Sequence, residues 1–322
     1  MDKTYSSALD RLGIEPAALK GEVVVVTGSG RGIGREIALL FSLLGASVVI
    51  AEISDEGLET EMRIREAGGR ALFIRTDVSS KDNVTRLEEK VREAFGPASI
   101  LINNAILVPV APVLEMDVDL WDRVMAVNLR GTFLTCKAFL PGMLANQRGT
   151  IVNMVSTDAM PQLSAYIASK QGITGFSQSL AAEVGELGVR VVAFAPGFVR
   201  TPGLESAADR LAPALGFSRD QFLNMSFHPG YEGAMPVEDA ALATAYLVVA
   251  RADEFHGETA NGFDLLEQAG YLKRPVFEAV YVEPSEAPTV PGGERIETLK
   301  AAIQLSAQLL KAIEQTETEF NK

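Results

Sequence analysis

The sequence is poor in cysteine and histidine: its 322 residues include one Cys, Cys136, and two His. A single cysteine cannot form an internal disulfide, which is typical of a protein from a reducing compartment. Zinc sites combine several Cys and His ligands, so we expect no such metal site. The chain also lacks a long basic run and carries a net charge of −13, which argues against nucleic acid and membrane surfaces as partners.

Long apolar runs are also absent. A membrane-spanning helix needs about 18 or more apolar residues in succession. The run at 189–199 is interrupted by Arg190, and the run at 240–250 is too short. Residues 1–20 carry several charges and no apolar signal core. We therefore expect a cytoplasmic protein, and its 47% hydrophobic residues suffice for a sizeable core.

A glycine motif, Thr27-Gly-Ser-Gly-Arg-Gly-Ile-Gly34, follows the β-branched run 22–26. A helical pattern comes next, then a second β-branched run at 47–51 with Glu52 at its end. Glycine lets the backbone turn tightly and approach a pyrophosphate, and a helix N-terminus favours the anion. The unit therefore predicts a dinucleotide site, and a glycine-rich turn without a ligand is the alternative.

The same alternation of strands and helices continues along the chain. Strands are predicted at 22–26, 47–51, 71–75, 99–102, 151–155, 189–194 and 258–266, and helices at 33–44, 55–67, 81–95, 120–144, 166–187 and 237–249. This alternation favours right-handed crossovers and a parallel sheet. We predict an α/β fold of the Rossmann type, a doubly wound parallel sheet in a single domain with a C-terminal helical extension.

Ligands of doubly wound sheets bind beyond the carboxyl ends of the strands. Six residues of interest fall at predicted strand ends: Gly28, Glu52, Asp77, Asn104, Ser156 and Pro196. Asp77 has two open interpretations, a helix cap or a contact to adenine. The convergence of these residues is better evidence for a site than any single motif.

Tyr166 and Lys170 stand four residues apart, so on a helix they share one face. A neighbouring ammonium lowers the pKa of a phenol, which then exchanges protons with an alcohol or a carbonyl oxygen. Ser156, at a predicted strand end, could hold that oxygen. The alternative is an ordinary surface pair on an amphipathic helix.

Together these motifs resemble the classical short-chain dehydrogenase/reductase family over about residues 18–270. The matching segments are Thr27 to Gly34, Asn103 to Ala105, Asn128, Ser156, Tyr166, Lys170 and Pro196 to Thr201. Ile106 stands where the family has glycine, and the segment from Ser156 to Tyr166 is shorter than usual. Both departures are expected to reshape the site next to the cofactor and the substrate.

The resemblance implies a role for each matched residue. Tyr166 is the acid/base, and Lys170 lowers its pKa and binds the nicotinamide ribose. Ser156 orients the substrate oxygen, and Asn128 holds a water in a proton relay. The implied cofactor contacts are Gly28, Ser29, Arg31, Gly32, Ile33, Gly34, Glu52, Asp77, Val78, Asn104, Ala105, Tyr166, Lys170, Pro196, Gly197, Val199 and Thr201.

The expected cofactor is NAD rather than NADP. Glu52 would accept a hydrogen bond from the ribose 2′-hydroxyl and repel a 2′-phosphate, and neither Ile53 nor Ser54 adds a positive charge beside it. Arg31 opposes this expectation, because a basic residue before Gly32 could reach a 2′-phosphate.

We therefore predict an oxidoreductase that moves a hydride between the cofactor and a secondary alcohol or ketone. Apolar residues between 201 and 235 resemble a substrate lid and favour a largely apolar substrate, although two packing helices are the alternative. A catalytically silent dinucleotide sensor is the competing function. An extended-type epimerase is a third, but the spacing Gly28-x3-Gly32-x-Gly34 disagrees with its usual motif.

Three segments are predicted: an N-terminal extension at 1–20, a catalytic domain at 21–270, and an arm with a helix at 271–322. The apolar pattern of 296–320 predicts a helix that needs a partner surface, either on another subunit or on its own domain. Gly172 and Gly175 on the Tyr166 helix permit close backbone approach, to the sheet or to a symmetry-related helix. The resemblance implies a homodimer or homotetramer.

Overall fold

A computed structural model describes residues 3–156 and 160–273 of the chain. Its strands are β1 Val23–Thr27, β2 Ser47–Glu52, β3 Arg70–Arg75, β4 Ile100–Asn103, β5 Gly149–Met154, β6 Val189–Ala195 and β7 Thr259–Asn261. They form one sheet in the order β3-β2-β1-β4-β5-β6-β7, and neighbouring strands are parallel. The direction of winding reverses between β1 and β4, which confirms the predicted doubly wound sheet of the Rossmann type.

Helices cover both faces of the sheet. They are α1 Lys3–Leu12, α2 Gly32–Leu43, α3 Glu56–Glu66, α4 Lys81–Phe95, α5 Val118–Val124, α6 Gly131–Ala145, α7 Ser164–Val184, α8 Pro202–Ala214, α9 Arg219–Leu223, α10 Val237–Tyr246 and α11 Gly262–Gln268. Val24 and Val26 belong to the core layer under α2 and α10, whereas Val23 and Val25 belong to the layer under α4, α6 and α7. Successive strand side chains point to opposite faces, so a continuous β-branched run builds both layers.

Three predicted elements differ in the structure, and the helix at 237–249 is one of them, because a π-helical segment, Leu247–Arg251, follows α10. A π-helical segment, Met125–Arg130, interrupts the predicted helix at 120–144. The predicted last strand at 258–266 is wrong beyond Asn261, where β7 ends and α11 begins. The Asn261 side chain accepts hydrogen bonds from the backbone N–H groups of Phe263 at 2.9 Å and Asp264 at 3.4 Å. This N-cap turns an apolar segment into a helix instead of a strand.

The N-terminal helix is part of the main core. Tyr5, Leu9 and Leu12 on α1 are buried in the same hydrophobic layer as α2 and α10. Arg11 lies with its guanidinium 4.9 Å from the ring centroid of Tyr271 and donates to the Tyr271 carbonyl oxygen at 2.7 Å. Of the predicted arm and helix at 271–322, residues 274–322 lie outside the described residues.

The parallel strands bring their carboxyl ends to one edge of the sheet. β1, β2, β4, β5 and β6 end there at Thr27, Glu52, Asn103, Met154 and Ala195. The residues that follow these ends are therefore neighbours in space. Within residues 3–156 and 160–273, no helix combines the length and apolarity needed to cross a membrane. The same residues contain no group of three His, Cys, Asp or Glu placed to hold a metal ion.

Candidate active site

The glycine turn after β1 is folded so tightly that side chains would not fit. Gly28 and Gly32 have positive φ angles of 65° and 57°. A Cβ at Gly28 would lie 2.7 Å from Ala105 Cα, and one at Gly34 would lie 2.4 Å from the Gly28 carbonyl oxygen. α2 starts at Gly32, and the side chain of its N-cap residue, Arg31, makes no capping hydrogen bond. The first turn of α2 thus offers backbone N–H groups to an anion.

Two further residues of the motif point into the protein rather than away from it. Ser29 is fully buried, and its hydroxyl donates to the Val26 carbonyl oxygen at 2.7 Å. Ile33 is partly buried against the core. The Ser29 side chain shapes the turn, so any contact from Ser29 to a ligand would come from its backbone.

Asn104 ties the end of β4 to the glycine turn. Its side-chain amide donates to the carbonyl oxygens of Thr27 at 3.0 Å and Gly28 at 2.9 Å. The Thr27 hydroxyl accepts in return from the backbone N–H groups of Asn104 and Ala105, each at 3.0 Å. These four bonds fix two loops against each other, while Ile106, just beyond them, is 48% exposed.

Glu52 supports the turn from the second strand. Its carboxylate accepts from Gly30 N at 3.1 Å, Ile53 N at 2.8 Å and Ser54 N at 3.0 Å, and the residue is 9% exposed. A carboxylate offers about four acceptor positions, so these bonds leave capacity for one more donor.

Asp77 and Val78 follow β3. The Asp77 carboxylate accepts from the Ser79 backbone N–H at 2.9 Å and from the Ser79 hydroxyl at 2.7 Å. The N-cap of α4 is Ser80, whose hydroxyl accepts from Asn83 N. Asp77 therefore shapes a turn and does not cap the helix. Val78 is buried, and a Cβ at Gly131 would approach its side chain to 3.0 Å.

Asn128 joins three segments from inside the π-helical segment. Its side-chain oxygen accepts from Leu107 N at 2.8 Å, and its amide donates to Leu107 O at 3.1 Å and to Ser169 Oγ at 2.9 Å. Its carbonyl oxygen accepts from the Thr132 hydroxyl at 2.7 Å. The Asn128 side chain therefore holds the segment after β4 against α7, next to Lys170, and π-helical turns often occur at functional sites.

Tyr166, Ser156 and Lys170 come together above the end of β5. The Ser156 side chain lies next to the Tyr166 hydroxyl and acts to lower the pKa of that phenol. Lys170 is 2% exposed, and its ammonium donates to the Met154 carbonyl oxygen at 2.5 Å and lies 5.7 Å from the Tyr166 ring centroid. The helical spacing predicted this shared face correctly.

Burial dominates the acid–base properties of this group. It raises the pKa of Tyr166, and the Ser156 side chain opposes that rise. It also lowers the pKa of Lys170 from 10.5 to about 7. The expected lowering of the phenol pKa by Lys170 is therefore wrong for this structure: burial of the phenolate raises the Tyr166 pKa, and the opposing effect comes from Ser156.

The Pro196–Thr201 loop faces the glycine turn. Gly197 has a φ of 111° and is exposed, whereas Val199 is buried and bridges to Met235. Thr201 caps α8 by accepting from Leu204 N at 3.1 Å. A Cβ at Gly32 would lie 3.7 Å from the Thr201 side chain, so the two loops lie side by side.

An apolar cluster from α8 and α9 packs beside Tyr166. Leu211 and Phe222 are buried in it, and Tyr166 and Phe198 pack against it from the sheet side. Phe198 meets Phe222 edge to face, with ring centroids 5.5 Å apart, and Phe227 at 5.0 Å. This segment was expected to be a lid, and it supplies an apolar wall next to the phenol.

Two supporting hydroxyls were missed by the sequence prediction. Thr27 was part of the glycine motif, but nothing in its spacing indicated that it would bind the loop after β4. Ser169 donates to the Tyr166 carbonyl oxygen at 2.6 Å and accepts from Asn128, 41 residues earlier. No local pattern marks such a contact, because it depends on how two helices pack.

Comparison with known proteins gives consistent matches. The sequence profile of the short chain dehydrogenase family matches residues 22–211. An uncharacterized oxidoreductase of Thermotoga maritima is 33% identical over 264 residues, covering 81% of this chain and 99% of that protein. The 3beta-hydroxysteroid dehydrogenase 1 of Eggerthella lenta is 36% identical over 248 residues, covering 75% of this chain and 92% of that protein. A crystal structure of actinorhodin polyketide ketoreductase with NADPH superposes with a TM-score of 0.70 at 31% identity, covering 76% of this chain and 96% of that one.

The range matched by the family contains the residues that the structure brings together in the candidate site. The profile covers the glycine turn, the Asn104 loop and the group formed by Ser156, Tyr166 and Lys170. The strand order is that of a doubly wound dinucleotide-binding sheet. The chain belongs to the short-chain dehydrogenase/reductase family of oxidoreductases.

Proposed function

We propose that the protein is a nicotinamide-dependent dehydrogenase or reductase that interconverts a secondary alcohol and a ketone at Tyr166. The observation that carries this proposal is the placement of the Tyr166 phenol beside Ser156, which acts to lower its pKa, and beside the buried Lys170. A protein that only senses a dinucleotide needs no such arrangement, because binding requires neither a tuned phenol nor a partner for the substrate oxygen.

A dinucleotide fits the residues at the carboxyl ends of the strands. The glycine turn and the first N–H groups of α2 would hold the pyrophosphate, and Glu52 would bind the adenosine ribose. Lys170 and the Pro196–Thr201 loop would hold the nicotinamide half. When bound, the nicotinamide accepts or donates the hydride.

Each residue of the chain then has a defined task. Tyr166 would take the proton from the alcohol, or give it to the carbonyl oxygen in the reverse direction. Ser156 would hold that oxygen within hydrogen-bond reach of the phenol. Lys170, buried beside the ring, would stabilise the phenolate when it carries its charge. Asn128 positions α7 through Ser169 and keeps these groups in register.

The substrate class is inferred from the wall next to Tyr166. Phe198 and Tyr166 pack, partly buried, against the cluster in which Leu211 and Phe222 are buried, and these apolar surroundings favour a largely apolar ring system over a charged metabolite. The name of one relative, a hydroxysteroid dehydrogenase, is consistent with a bulky cyclic substrate. We therefore favour a cyclic secondary alcohol or its ketone.

NAD is the favoured cofactor. Glu52 would repel a 2′-phosphate, and three nearby arginines are each paired with an acid: Arg31 with Glu56 at 3.8 Å, Arg35 with Glu59 at 3.2 Å, and Arg75 with Asp55. Arg75 lies opposite Glu52 across β2 and β3, a positive charge that the local sequence around Glu52 did not indicate. The NADPH in the ketoreductase structure argues the other way, so the ratio of kcat/KM with NAD and NADP decides this point.

One assay tests the function directly. Purified protein is screened with cyclic alcohols and ketones, and the absorbance of the reduced cofactor is followed with NAD(H) and NADP(H) in parallel. Tyr166→Phe should bind the cofactor with unchanged Kd and lose about 10²–10⁴-fold in turnover. A variant that keeps more than about a tenth of the wild-type rate would contradict the assigned role. Cofactor binding without turnover of any substrate would favour the sensor.

A further inference from the structure

His228 is held in one fixed orientation at the end of the segment that follows α9. It is 7% exposed, and its Nε2 lies 2.7 Å from Glu267 Oε1 on α11. Its Nδ1 accepts a hydrogen bond from Gly230 N at 2.9 Å. Since Nδ1 acts as the acceptor, the proton of the neutral ring sits on Nε2 and is donated to Glu267.

The imidazole also stacks on Phe263 in the first turn of α11. The ring centroids are 5.3 Å apart and the planes are inclined by 14°. With the bond to Glu267, His228 therefore contacts α11 at two positions one turn apart. A side chain that holds a helix at two positions restricts both its shift along the axis and its rotation.

The first turn of α11 lies directly against the Pro196–Gly197 loop. A Cβ at Gly197 would be 2.8 Å from the Phe263 ring, and a Cβ at Gly262 would be 2.3 Å from the Pro196 carbonyl oxygen. Interiors packed this closely transmit small displacements. A movement of Phe263 by a few tenths of an ångström would therefore move Gly197.

The sheet already fixes the position at which α11 begins. Ala195 and Asn261 pair in register between β6 and β7, and Asn261 caps α11. Nearby, Tyr231 packs edge to face on His228 with ring centroids 6.0 Å apart and donates to Asp239 Oδ2 at 2.6 Å. The sheet fixes where α11 begins, and His228 fixes how its first turn faces the loop.

We infer that His228 is a positioning residue for the cofactor, acting through Phe263 on the Pro196–Gly197 loop. The inference rests on the proposed function, in which that loop holds the nicotinamide half of the dinucleotide. It connects the segment after the lid helices to the cofactor rather than to the substrate. His228 touches neither reactant and carries no proton in the reaction.

The test compares the only two histidines of the chain. His228→Phe keeps an aromatic ring on Phe263 and removes both hydrogen bonds. His256→Phe is the matched control, because His256 also accepts a backbone N–H with Nδ1, from Val191 at 3.1 Å. Kd for NADH and NADPH is measured by titration of the fluorescence of the reduced cofactor, together with cofactor KM, kcat and the melting temperature.

His228→Phe should raise the cofactor Kd and KM by about tenfold, equivalent to one hydrogen bond, and leave substrate KM within about twofold. His256→Phe should leave cofactor Kd unchanged. His228→Gln retains a donor toward Glu267 and should recover part of the lost affinity. If His228→Phe does not fold, Phe263→Leu provides the second test, with the same selective loss of cofactor affinity.

The outcomes separate this inference from the proposed function. A folded His228→Phe with wild-type cofactor Kd overturns the inference, even if its melting temperature falls. Equal losses of cofactor and substrate affinity overturn it as well, since a general loosening of the fold would explain them. If the wild-type protein binds neither NADH nor NADPH, the proposed function itself fails.

Discussion

Lys170→Met tests the electrostatics of the site through stability rather than turnover. Lys170 is 2% exposed, and burial lowers its pKa from 10.5 to about 7. Between these two values the unfolded chain holds the proton and the folded protein releases it. Below pH 7 the folded state therefore carries the full cost of a buried ammonium, and this cost disappears as the pH rises toward 10.5.

The size of this cost to stability follows from the shift in the pKa of Lys170. A tenfold change in proton affinity is worth about 1.4 kcal/mol, so the cost is about 5 kcal/mol at pH 6 and about 2 kcal/mol at pH 9. Losing the hydrogen bond to the Met154 carbonyl oxygen opposes this by about 1.5–3 kcal/mol. Met is a flexible apolar residue that adapts to irregular core sites. The free energy of unfolding of the Lys170→Met variant should therefore be about 2–3 kcal/mol higher than that of the wild type at pH 6 and nearly equal to it at pH 9.

Urea unfolding followed by circular dichroism at pH 6 and pH 9 measures both differences. Lys137→Met, an exposed lysine on α6, is the control and should show no comparable dependence on pH. The variant of Lys170 should also lose activity, so stability and function would change in opposite directions. A Lys170→Met protein that is less stable than wild type at pH 6, or whose stability difference is the same at both pH values, would refute the reasoning.

Three other changes have definite expected results. Gly28→Ala places a Cβ 2.7 Å from Ala105 Cα at a positive φ. The free energy of unfolding should therefore fall by about 1–3 kcal/mol in thermal unfolding, and NADH titration should give a weaker Kd. Wild-type values for both would contradict the tight turn. A Cβ at Gly175 meets no atom within 4 Å among the described residues, so Gly175→Arg should fold, and light scattering should give a smaller mass if the outer face of α7 joins subunits; an unchanged mass argues against that interface. Truncation after Lys273 keeps the hydrogen bond from the Tyr271 hydroxyl to Asp239. Light scattering should then show a reduced oligomer mass. An unchanged mass would contradict an assembly role for the C-terminal segment.

The sequence by itself determined the sheet and placed the candidate site residues at the ends of its strands. Continuous β-branched runs such as 23–26 have no polar face, so they must be covered on both sides, which implies a parallel sheet with helices on both faces. The glycines at 28, 32 and 34 permit backbone conformations and close approaches that other residues resist. Tyr166 and Lys170 share a helix face because the helical period is local. Each of these is a short-range property, and each appears in the structure as predicted.

Tertiary packing decided what local patterns leave open. The apolar segment after Asn261 suits a strand or a helix, and the Asn261 cap with the close approach of Gly262 to Pro196 selects the helix. The effect of Lys170 on Tyr166 depended on how deeply both are buried, which spacing does not encode. The partners of Asn128 and His228 lie tens of residues away in the sequence, at Ser169 and Glu267. Such contacts exist only after the sheet has brought its loops to one edge, because hydrogen bonds between distant residues depend on the fold that places them within reach.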